Sequence, residues 1–182
     1  MKAYKAFNKD LTCTLGKGTF QYEEGKVIRE EEAKCAKTGL HAASDPLDTL
    51  TYYPNMETSV YYVVDARGDI NEDGTDSRIS CTEMELVRKL DHEEFVYEAL
   101  LYMAKHPKRE INKNVGKETK SGKDIAIARG KNPRAKGTKG CVLGLYQESE
   151  NGEAKAVAIY VVDGENIKAD IYYNIDGKEV EE

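Results

Sequence analysis

Length, composition and charge set the first limits on this chain. Its 182 residues, 40% hydrophobic and 33% charged, give room for one ordinary domain or two small ones beneath a heavily solvated surface. No run of eighteen apolar residues is present, and the N-terminal MKAYKAFNKD lacks the apolar core of a signal peptide, so we expect a soluble intracellular protein.

The four cysteines, Cys13, Cys35, Cys81 and Cys141, lie far apart and form no Cys-x-x-Cys pair. A structural zinc site requires closely spaced ligand pairs. We therefore predict four reduced, mostly buried thiols and no metal or other cofactor.

Charge is unevenly distributed along the chain, whose formal net charge is -6. Residues 1–104 hold 12 basic and 20 acidic groups, for -8, and residues 140–182 hold 3 and 10, for -7. Residues 105–139 hold 12 basic and 3 acidic groups, for +9. An acidic protein with one basic block favours a localised anion-binding surface.

The first eighty residues predict a β-rich module (1–80). TFQYEEGKVI (19–28) combines aromatic and β-branched residues with a glycine turn signal, and VYYVVDARGDI (60–70) indicates a strand buried on both faces. Between them, Ser44-Asp45-Pro46 is typical of a helix start, with Ser44 or Asp45 as the N-cap.

A helical segment is predicted over about 82–106, within a segment assigned to 81–107. Thr82 and Glu85 have capping-box spacing, and a second box begins at Asp91. His106-Pro107 then ends the helix. Apolar residues recur at helical intervals between these signals: Met84, Val87, Leu90, Phe95, Ala99, Tyr102 and Met103.

The last forty residues predict a C-terminal β segment (141–182). GCVLGLYQ (140–147) and AKAVAIYVVDG (154–164) indicate two strands joined by a turn at 150–152, and ADIYYNIDGKEVEE (169–182) indicates a hairpin around Asp176-Gly177.

The acidic loop 69–80 partly matches a calcium-binding EF-hand loop. Asp69, Asn71, Asp73 and Gly74 fit the first six positions, but Ser80 stands where the bidentate Glu is required. A strand, not an apolar helix, precedes the loop. We interpret it as a strand-to-helix connection that does not depend on calcium.

The basic segment 108–140 contains GKDIAIARGKNPRAKGTKG (122–140), in which small residues and glycines are spaced at short intervals. Small alternating residues between glycines favour tightly wound β-roll-like coils, one or two in number, that project cations from their turns. The alternative is a solvated loop that binds nothing. The predicted contacts to nucleic acid or to a protein partner are Lys113, Lys117, Lys120, Lys123, Arg129, Lys131, Arg134, Lys136 and Lys139.

One enzymatic alternative rests on layout. KAFN (5–8), GLHAASDP (39–46), YYVVDARG (61–68) and the Glu83-x-Glu85 pair loosely resemble ADP-ribosyltransferase-like folds, in which such segments assemble around NAD. The resemblance implies a degenerate enzyme of that kind. Glu83 and Glu85 are also explained as acids at a helix N-terminus, so we predict no catalytic residues.

Nearly the whole chain resembles an uncharacterised family of phage and prophage proteins, which join a β-rich N-terminal module to glycine/alanine repeats and a short β tail. From the predicted elements we expect an α+β protein whose C-terminal β region contains one or two β-roll-like coils. As a function, the resemblance implies a phage structural or accessory assembly module. The segments that carry it are YKAFNKDLTC (4–13), FQYEEGK (20–26), KCAKTGLHAASDPLDTLTYYP (34–54), AKGTKGCVLGLYQ (135–147) and VVDGENIKADIYYNIDGKEVE (161–181).

In size and layout the chain also resembles anti-CRISPR proteins. This resemblance implies a non-enzymatic inhibitor that binds a type II CRISPR nuclease with its guide RNA in the bacterial host cytoplasm. DNA or RNA would be contacted through the basic block while the acidic remainder imitates nucleic acid. It supplies no site residues of its own.

Overall fold

The chain forms two compact units, Met1–Asp91 and His92–Glu182, in a computed structural model that describes residues 1–14, 18–72, 74 and 76–181. Strands dominate both units, so the protein is β-rich as predicted. Within the described ranges no helix is long and apolar enough to cross a membrane.

The described residues of unit 1 form seven strands and one short helix. A 3₁₀ helix, Pro46–Thr51, follows the fifth strand. The strands are β1 Lys2–Asn8, β2 Thr12–Cys13, β3 Phe20–Gln21, β4 Val27–Arg29, β5 Leu40–Ala43, β6 Ser59–Glu72 and β7 Arg78–Leu90.

The main sheet of unit 1 closes on itself. Strand β1 lies between β5 and β6, while β7 pairs with β5 on one side and with β6 on the other, and every pairing is antiparallel. The closed ring of strands encloses a core. That core contains Phe7, Tyr62, Val64, Ile79 and Met84 among other apolar side chains.

The helix start at Ser44-Asp45-Pro46 is confirmed. Asp45 is the N-cap, its Oδ1 accepts the backbone N–H of Leu47 at 2.9 Å, and Pro46 occupies the first turn. The buried Asp48 carboxylate accepts the backbone N–H of Ser77 at 3.0 Å, which attaches the helix to the start of β7.

The first half of the predicted helical segment is wrong, because residues 82–90 belong to strand β7. Met84, Leu86 and Leu90 also fit a period of two, and all three are buried, whereas Val87 is 60% exposed. Hydrogen bonds to β6 along one edge and to β4 and β5 along the other outweigh the local capping signal.

The acidic loop 69–80 therefore connects two strands and not a strand to a helix. Residues up to Glu72 extend β6, and the side chain of Asn71 accepts the backbone N–H of Cys35 at 2.8 Å. Asp73 lies outside the described residues. The described part of the chain contains no cluster of His, Cys, Asp and Glu that could hold a metal ion.

Unit 2 begins with α1, His92–Lys105, the one α-helix among the described residues. It buries Phe95, Ala99, Tyr102 and Met103 as predicted and ends before His106-Pro107. Six strands follow: β8 Gly116–Gly122, β9 Ile125–Gly137, β10 Val142–Glu148, β11 Ala154–Val161, β12 Tyr172–Tyr173 and β13 Glu179–Val180.

Successive segments of the basic region pair in parallel. Gly116 lies beside Ala128 and Gly122 beside Gly137, while Ile125 lies beside Val142. Each strand therefore runs parallel to the strand that precedes it in the chain. Ala126, Ala128 and Ala135 are fully buried within this stack. The C-terminal strands then add antiparallel pairs, β10 with β11 and β12 with β13, and both predicted hairpins are confirmed.

Close approach explains why glycine is needed in this stack. A Cβ on Gly130 would lie 2.4 Å from the carboxylate of Glu118. That carboxylate accepts the backbone N–H groups of Lys131 and Asn132 at 2.8 and 2.9 Å, which ties one segment of the stack to the next.

The predicted segment boundary at 80/81 falls inside strand β7, whereas the two compact units divide at 91/92.

Gly144 tests the packing of α1 on the sheet of unit 2. A Cβ at this position would lie 2.6 Å from Cγ1 of Val96 and 3.1 Å from Cγ1 of Ile127. We expect Gly144→Ala to lower the free energy of unfolding by about 1–3 kcal/mol, because overpacking forces neighbours off their positions. Urea unfolding measures the change.

The control for Gly144→Ala is the double variant with Val96→Ala, which removes the clashing methyl group. We expect the double variant to be more stable than the sum of the two single effects predicts. Strict additivity would contradict the contact.

Candidate functional site

Arg129, one of the nine predicted binding residues, is structural. Its side chain is 4% exposed, its Nε donates to Glu148 Oε2 at 2.6 Å, and its guanidinium lies 4.9 Å from the ring centre of Tyr146. Nη2 also donates to the carbonyls of Pro107 and Gly152, at 2.8 and 3.2 Å. The prediction that Arg129 is displayed for nucleic acid is therefore wrong, because the ion pair and its hydrogen bonds hold it inside unit 2.

The other eight predicted residues reach the surface to different degrees. Lys113, Lys117, Lys123, Lys131 and Lys139 are exposed, whereas Lys120, Arg134 and Lys136 are half-buried. Lys131 Nζ lies 3.4 Å from Glu150, and Lys136 Nζ lies 4.4 Å from the ring centre of Tyr172. Part of the predicted charge is thus engaged within the unit.

Four of the five exposed cations lie at two places where successive segments of the chain stack. Lys117 on β8 and Lys131 on β9 lie at the stack that Glu118 ties together. Lys123 and Lys139 belong to turns joined by Thr138, whose Oγ1 donates to the Lys123 carbonyl at 3.3 Å. Arg134 and Lys136 lie between the two stacks on alternate positions of β9, which places them on one side of the sheet.

A pocket of about 490 Å³ lies within unit 1. Strands β1 and β5, the 3₁₀ helix and the segment 36–39 contribute to its wall. The volume is in the range of sites for small organic molecules. Three basic side chains and one acidic side chain line it: Lys5, Lys37, Arg78 and Glu30.

Lys5 is the unusual residue of this pocket. It pairs in register with Tyr62 at the centre of the closed sheet, so its side chain points to the core side, and it is 7% exposed. Nζ donates to the carbonyl of His41 at 2.6 Å and lies 5.1 and 5.4 Å from the ring centres of Tyr22 and Phe7. Among the described residues no carboxylate forms an ion pair with it. Burial lowers the pKa of Lys5 below its usual 10.5.

Aromatic side chains connect this amine with the surface. Phe7 packs on Tyr22 with ring centres 4.9 Å apart, and Tyr22 packs on Phe20 at 5.0 Å. Phe20 lines the pocket and is 41% exposed. Burial also raises the pKa of Tyr22, so its hydroxyl stays neutral and can donate a hydrogen bond.

Tyr52 and Tyr53 also line the pocket. Tyr52 donates to Asp76 at 3.1 Å, and the guanidinium of Arg78 lies 5.7 Å from its ring centre. Tyr53 donates to the sulfur of Cys13 at 3.4 Å. Burial is the main cause that raises the pKa of Tyr52 to about 12. Flat rings and cations therefore surround the same cavity.

The segments proposed for an ADP-ribosyltransferase-like layout are only partly brought together. KAFN (5–8) and GLHAASDP (39–46) both contribute to the pocket, but Glu83 and Glu85 do not line it. Arg29 lies 3.3 Å from Glu83, and Arg67 pairs with Glu85. Both acids lie on strand β7, so their interpretation as acids at a helix N-terminus is wrong.

Sequence reasoning did not find Lys5. Its signal is the alternation in KAYKAFN, which places Lys5 on the same side of β1 as Ala3 and Phe7. A lysine at a core-facing position is rare unless it is paired or functional. All four cysteines are free of disulfides, with Cys35, Cys81 and Cys141 buried as predicted and Cys13 half-buried.

The pocket lies within a known family region. The family model described as "Domain of unknown function (DUF7666)" matches residues 1–98, more than half of the chain. The chain belongs to this family. All residues that line the pocket fall within the DUF7666 match. Nothing among the curated proteins or the solved structures matches the chain. The resemblance to phage proteins and anti-CRISPR inhibitors stays a prediction, because the DUF7666 description carries no activity.

Arg129 and Lys131 separate structural from displayed cations. We expect Arg129→Ala to lower the free energy of unfolding by about 3–5 kcal/mol, because it leaves the Glu148 carboxylate without its buried partner. Lys131→Ala, at an exposed position two residues away, should change it by at most about 0.5 kcal/mol. Equal effects in thermal or urea unfolding would contradict the assignment.

The buried amine of Lys5 predicts a pH dependence of stability. In the unfolded chain Lys5 keeps its proton up to about pH 10.5, whereas the folded state releases it at lower pH. The unfolded state thus binds more protons in this window, and stability rises with pH. We expect the free energy of unfolding of wild type, measured relative to Lys5→Met, to increase from neutral pH towards 10.5.

The matched control for Lys5→Met is Lys2→Met, at an exposed position on the same strand. Its difference from wild type should stay flat over the same pH range. Parallel curves for wild type and Lys5→Met would show that Lys5 keeps an ordinary pKa in the folded protein.

Proposed function

We propose that unit 1 is a binding module for a small organic anion that contains a flat ring. The observation that carries this proposal is the Lys5 amine, which opens onto the pocket with one carbonyl acceptor and no carboxylate partner among the described residues. Charged groups are seldom buried without a partner, because desolvation costs several kcal/mol. An anionic ligand supplies the missing partner.

The charge of the pocket supports an anion as the occupant. Lys37 and Arg78 line the cavity together with Lys5, and Glu30 is the one acidic residue among its described walls. An anion close to Lys5 favours the protonated amine and raises its pKa. Binding should therefore take up protons at a pH above the pKa of the free protein.

The aromatic walls support a flat ring as the remainder of the ligand. Phe20, Tyr22, Tyr52 and Tyr53 all line the cavity. Aromatic rings stack on planar ligands, and each aromatic pair contributes about 0.5–1.5 kcal/mol beyond the burial of its area. Ring stacking and a terminal anion together describe ligands such as nucleotides.

Anilinonaphthalene sulfonate is a suitable probe because it combines flat rings with a fixed negative charge. We expect saturable binding to the folded chain with one site in unit 1. Lys5→Met should weaken it by about tenfold or more, since a hydrogen bond to a charged group contributes roughly 1.5–3 kcal/mol. Fluorescence titration measures both.

Phenylnaphthylamine, which has the same rings without the sulfonate, is the control ligand. It should bind wild type and Lys5→Met with equal affinity, and Lys2→Met should bind the sulfonate as wild type does. Sulfonate binding that is absent from wild type, or unchanged in Lys5→Met, contradicts the proposal.

A second candidate function concerns nucleic acid and rests on the arrangement of cations in unit 2. Arg134 and Lys136 share one side of β9. Lys117 and Lys131 lie where Glu118 ties the stacked segments together, and Lys123 and Lys139 lie where Thr138 does so. The parallel pairing agrees with the proposed β-roll-like coils. A row of cations on a stiff scaffold suits contact with a phosphate backbone.

Inhibition of a type II CRISPR nuclease is the biological role that we propose for this surface. The row of cations would contact guide RNA or target DNA while the acidic remainder faces the basic channel of the nuclease. In a cleavage assay with a guide-loaded nuclease, micromolar protein should reduce cutting of target DNA. Full cutting at that concentration would exclude the role.

Charge reversal of Lys131, Arg134 and Lys136 tests the contact with nucleic acid directly. We expect weaker binding and a salt dependence whose slope falls by about one for each lost phosphate contact. Lys155→Glu, at an exposed position on β11, reverses one charge elsewhere in unit 2 and should bind as wild type. Unchanged binding by the triple variant would show that the basic surface is inert.

A further inference from the structure

We propose that Lys5 forms an imine with aldehyde ligands in the pocket of unit 1. The inference rests on the proposed binding function and names a reactive class within it, namely aromatic anions that carry an aldehyde. Three features support it: access from the pocket, the hydrogen bonding of Nζ, and the chemical state of the amine.

Access comes first. Lys5 lines a pocket of about 490 Å³, which has room for a single-ring aldehyde with an anionic group. The neighbouring Cys13, Tyr22 and Phe20 also line it, so a carbonyl carbon can approach the amine from the cavity. Lys37 lines the same pocket and can contact the anionic group.

The hydrogen bonds of Nζ favour a neutral amine. An ammonium group has three N–H donors, and the described residues offer it one oxygen acceptor, the carbonyl of His41 at 2.6 Å. The rings of Tyr22 and Phe7 provide only their faces. A neutral amine that donates one N–H to His41 keeps its lone pair for attack on a carbonyl.

Burial acts in the same direction, because it lowers the pKa of Lys5 and enlarges the nucleophilic fraction at neutral pH. Each pKa unit of lowering increases that fraction about tenfold relative to an exposed lysine. Lysines desolvated in apolar pockets react with carbonyl compounds for this reason.

The chemistry balances without an oxidant or a metal. The lone pair of Nζ attacks the aldehyde carbon, and a proton moves from nitrogen to oxygen to give the carbinolamine. Its hydroxyl group takes a proton from solvent and leaves as water, and loss of the remaining N–H proton gives the C=N bond. One water is released and one proton is returned for each imine formed.

Pyridoxal phosphate is the probe, because it is a flat, anionic aldehyde. The full chain is incubated with one equivalent, reduced with borohydride, and the adduct is located by tandem mass spectrometry, which separates Lys5 from Lys2 and the N-terminal amine. We expect Lys5 to be labelled faster than the exposed lysines, because burial enlarges its neutral fraction. In urea its labelling should fall to the common rate.

The controls separate the reaction from binding. Lys5→Arg keeps a cation but cannot form the imine, and Lys2→Arg changes an exposed lysine of the same strand that does not line the pocket. We expect loss of the adduct in the first variant only. Pyridoxine phosphate, which has an alcohol in place of the aldehyde, reports binding without reaction.

Each outcome has a distinct meaning. A selective adduct at Lys5 supports the inference. Binding of both probes without an adduct at Lys5 overturns the inference and leaves the binding function intact. Absence of binding by either probe, or labelling spread evenly over exposed lysines, overturns the inference and counts against the binding function as well.

Discussion

The burial of Lys5, on a strand that is buried on both faces, is the central physical feature of unit 1. Strand β1 has neighbours on both sides in a closed sheet, and six of its seven residues are buried or half-buried. Closure holds that strand in register and thereby carries the amine of Lys5 to the core side. Apolar residues alone would stabilise such a core at lower cost, since burying an amine sacrifices several kcal/mol of hydration. The carbonyl of His41 and the rings of Tyr22 and Phe7 offset part of it. The Lys5 amine lines the pocket and has no further oxygen acceptor among the described residues. The buried amine therefore points to a binding function.

Unit 2 obeys a different constraint, the narrow spacing of parallel segments that follow one another closely in sequence. Fully buried alanines at 126, 128 and 135 leave little room inside the stack, and Gly130 admits the Glu118 carboxylate that ties two turns. Glu118 itself has a φ of 65°, a left-handed conformation that two charge-assisted hydrogen bonds hold in place. A scaffold of this kind fixes the spacing of the cations on its turns. The same packing buries Arg129 in an ion pair with Glu148. The net charge of the basic segment is therefore larger than the charge that it displays on the surface.

Local signals in the sequence predicted the elements whose stability is local. Turn, cap and periodicity rules predicted the Asp45 cap, the α1 segment that ends at Lys105, the two C-terminal hairpins and strand β6, which is buried on both faces only over its first half. They did not predict strand β7, because the spacing of Met84, Val87 and Leu90 fits a helix while the pairing that decides the outcome comes from strands distant in sequence. The pocket was missed for a similar reason. Lys5, His41 and Arg78 are far apart along the chain and meet only through the closed sheet. Net charge likewise did not reveal which arginine is buried.

The most direct test of the account is the pKa of Lys5 itself, followed by the carbon chemical shift of its ε-methylene group in an NMR titration of the full chain. We predict that Lys5 titrates with a midpoint below that of the other lysines and that its signal is absent from Lys5→Met. This midpoint should move upward when the anilinonaphthalene sulfonate probe saturates the pocket. A Lys5 signal that titrates together with the exposed lysines and does not respond to the probe would contradict the account.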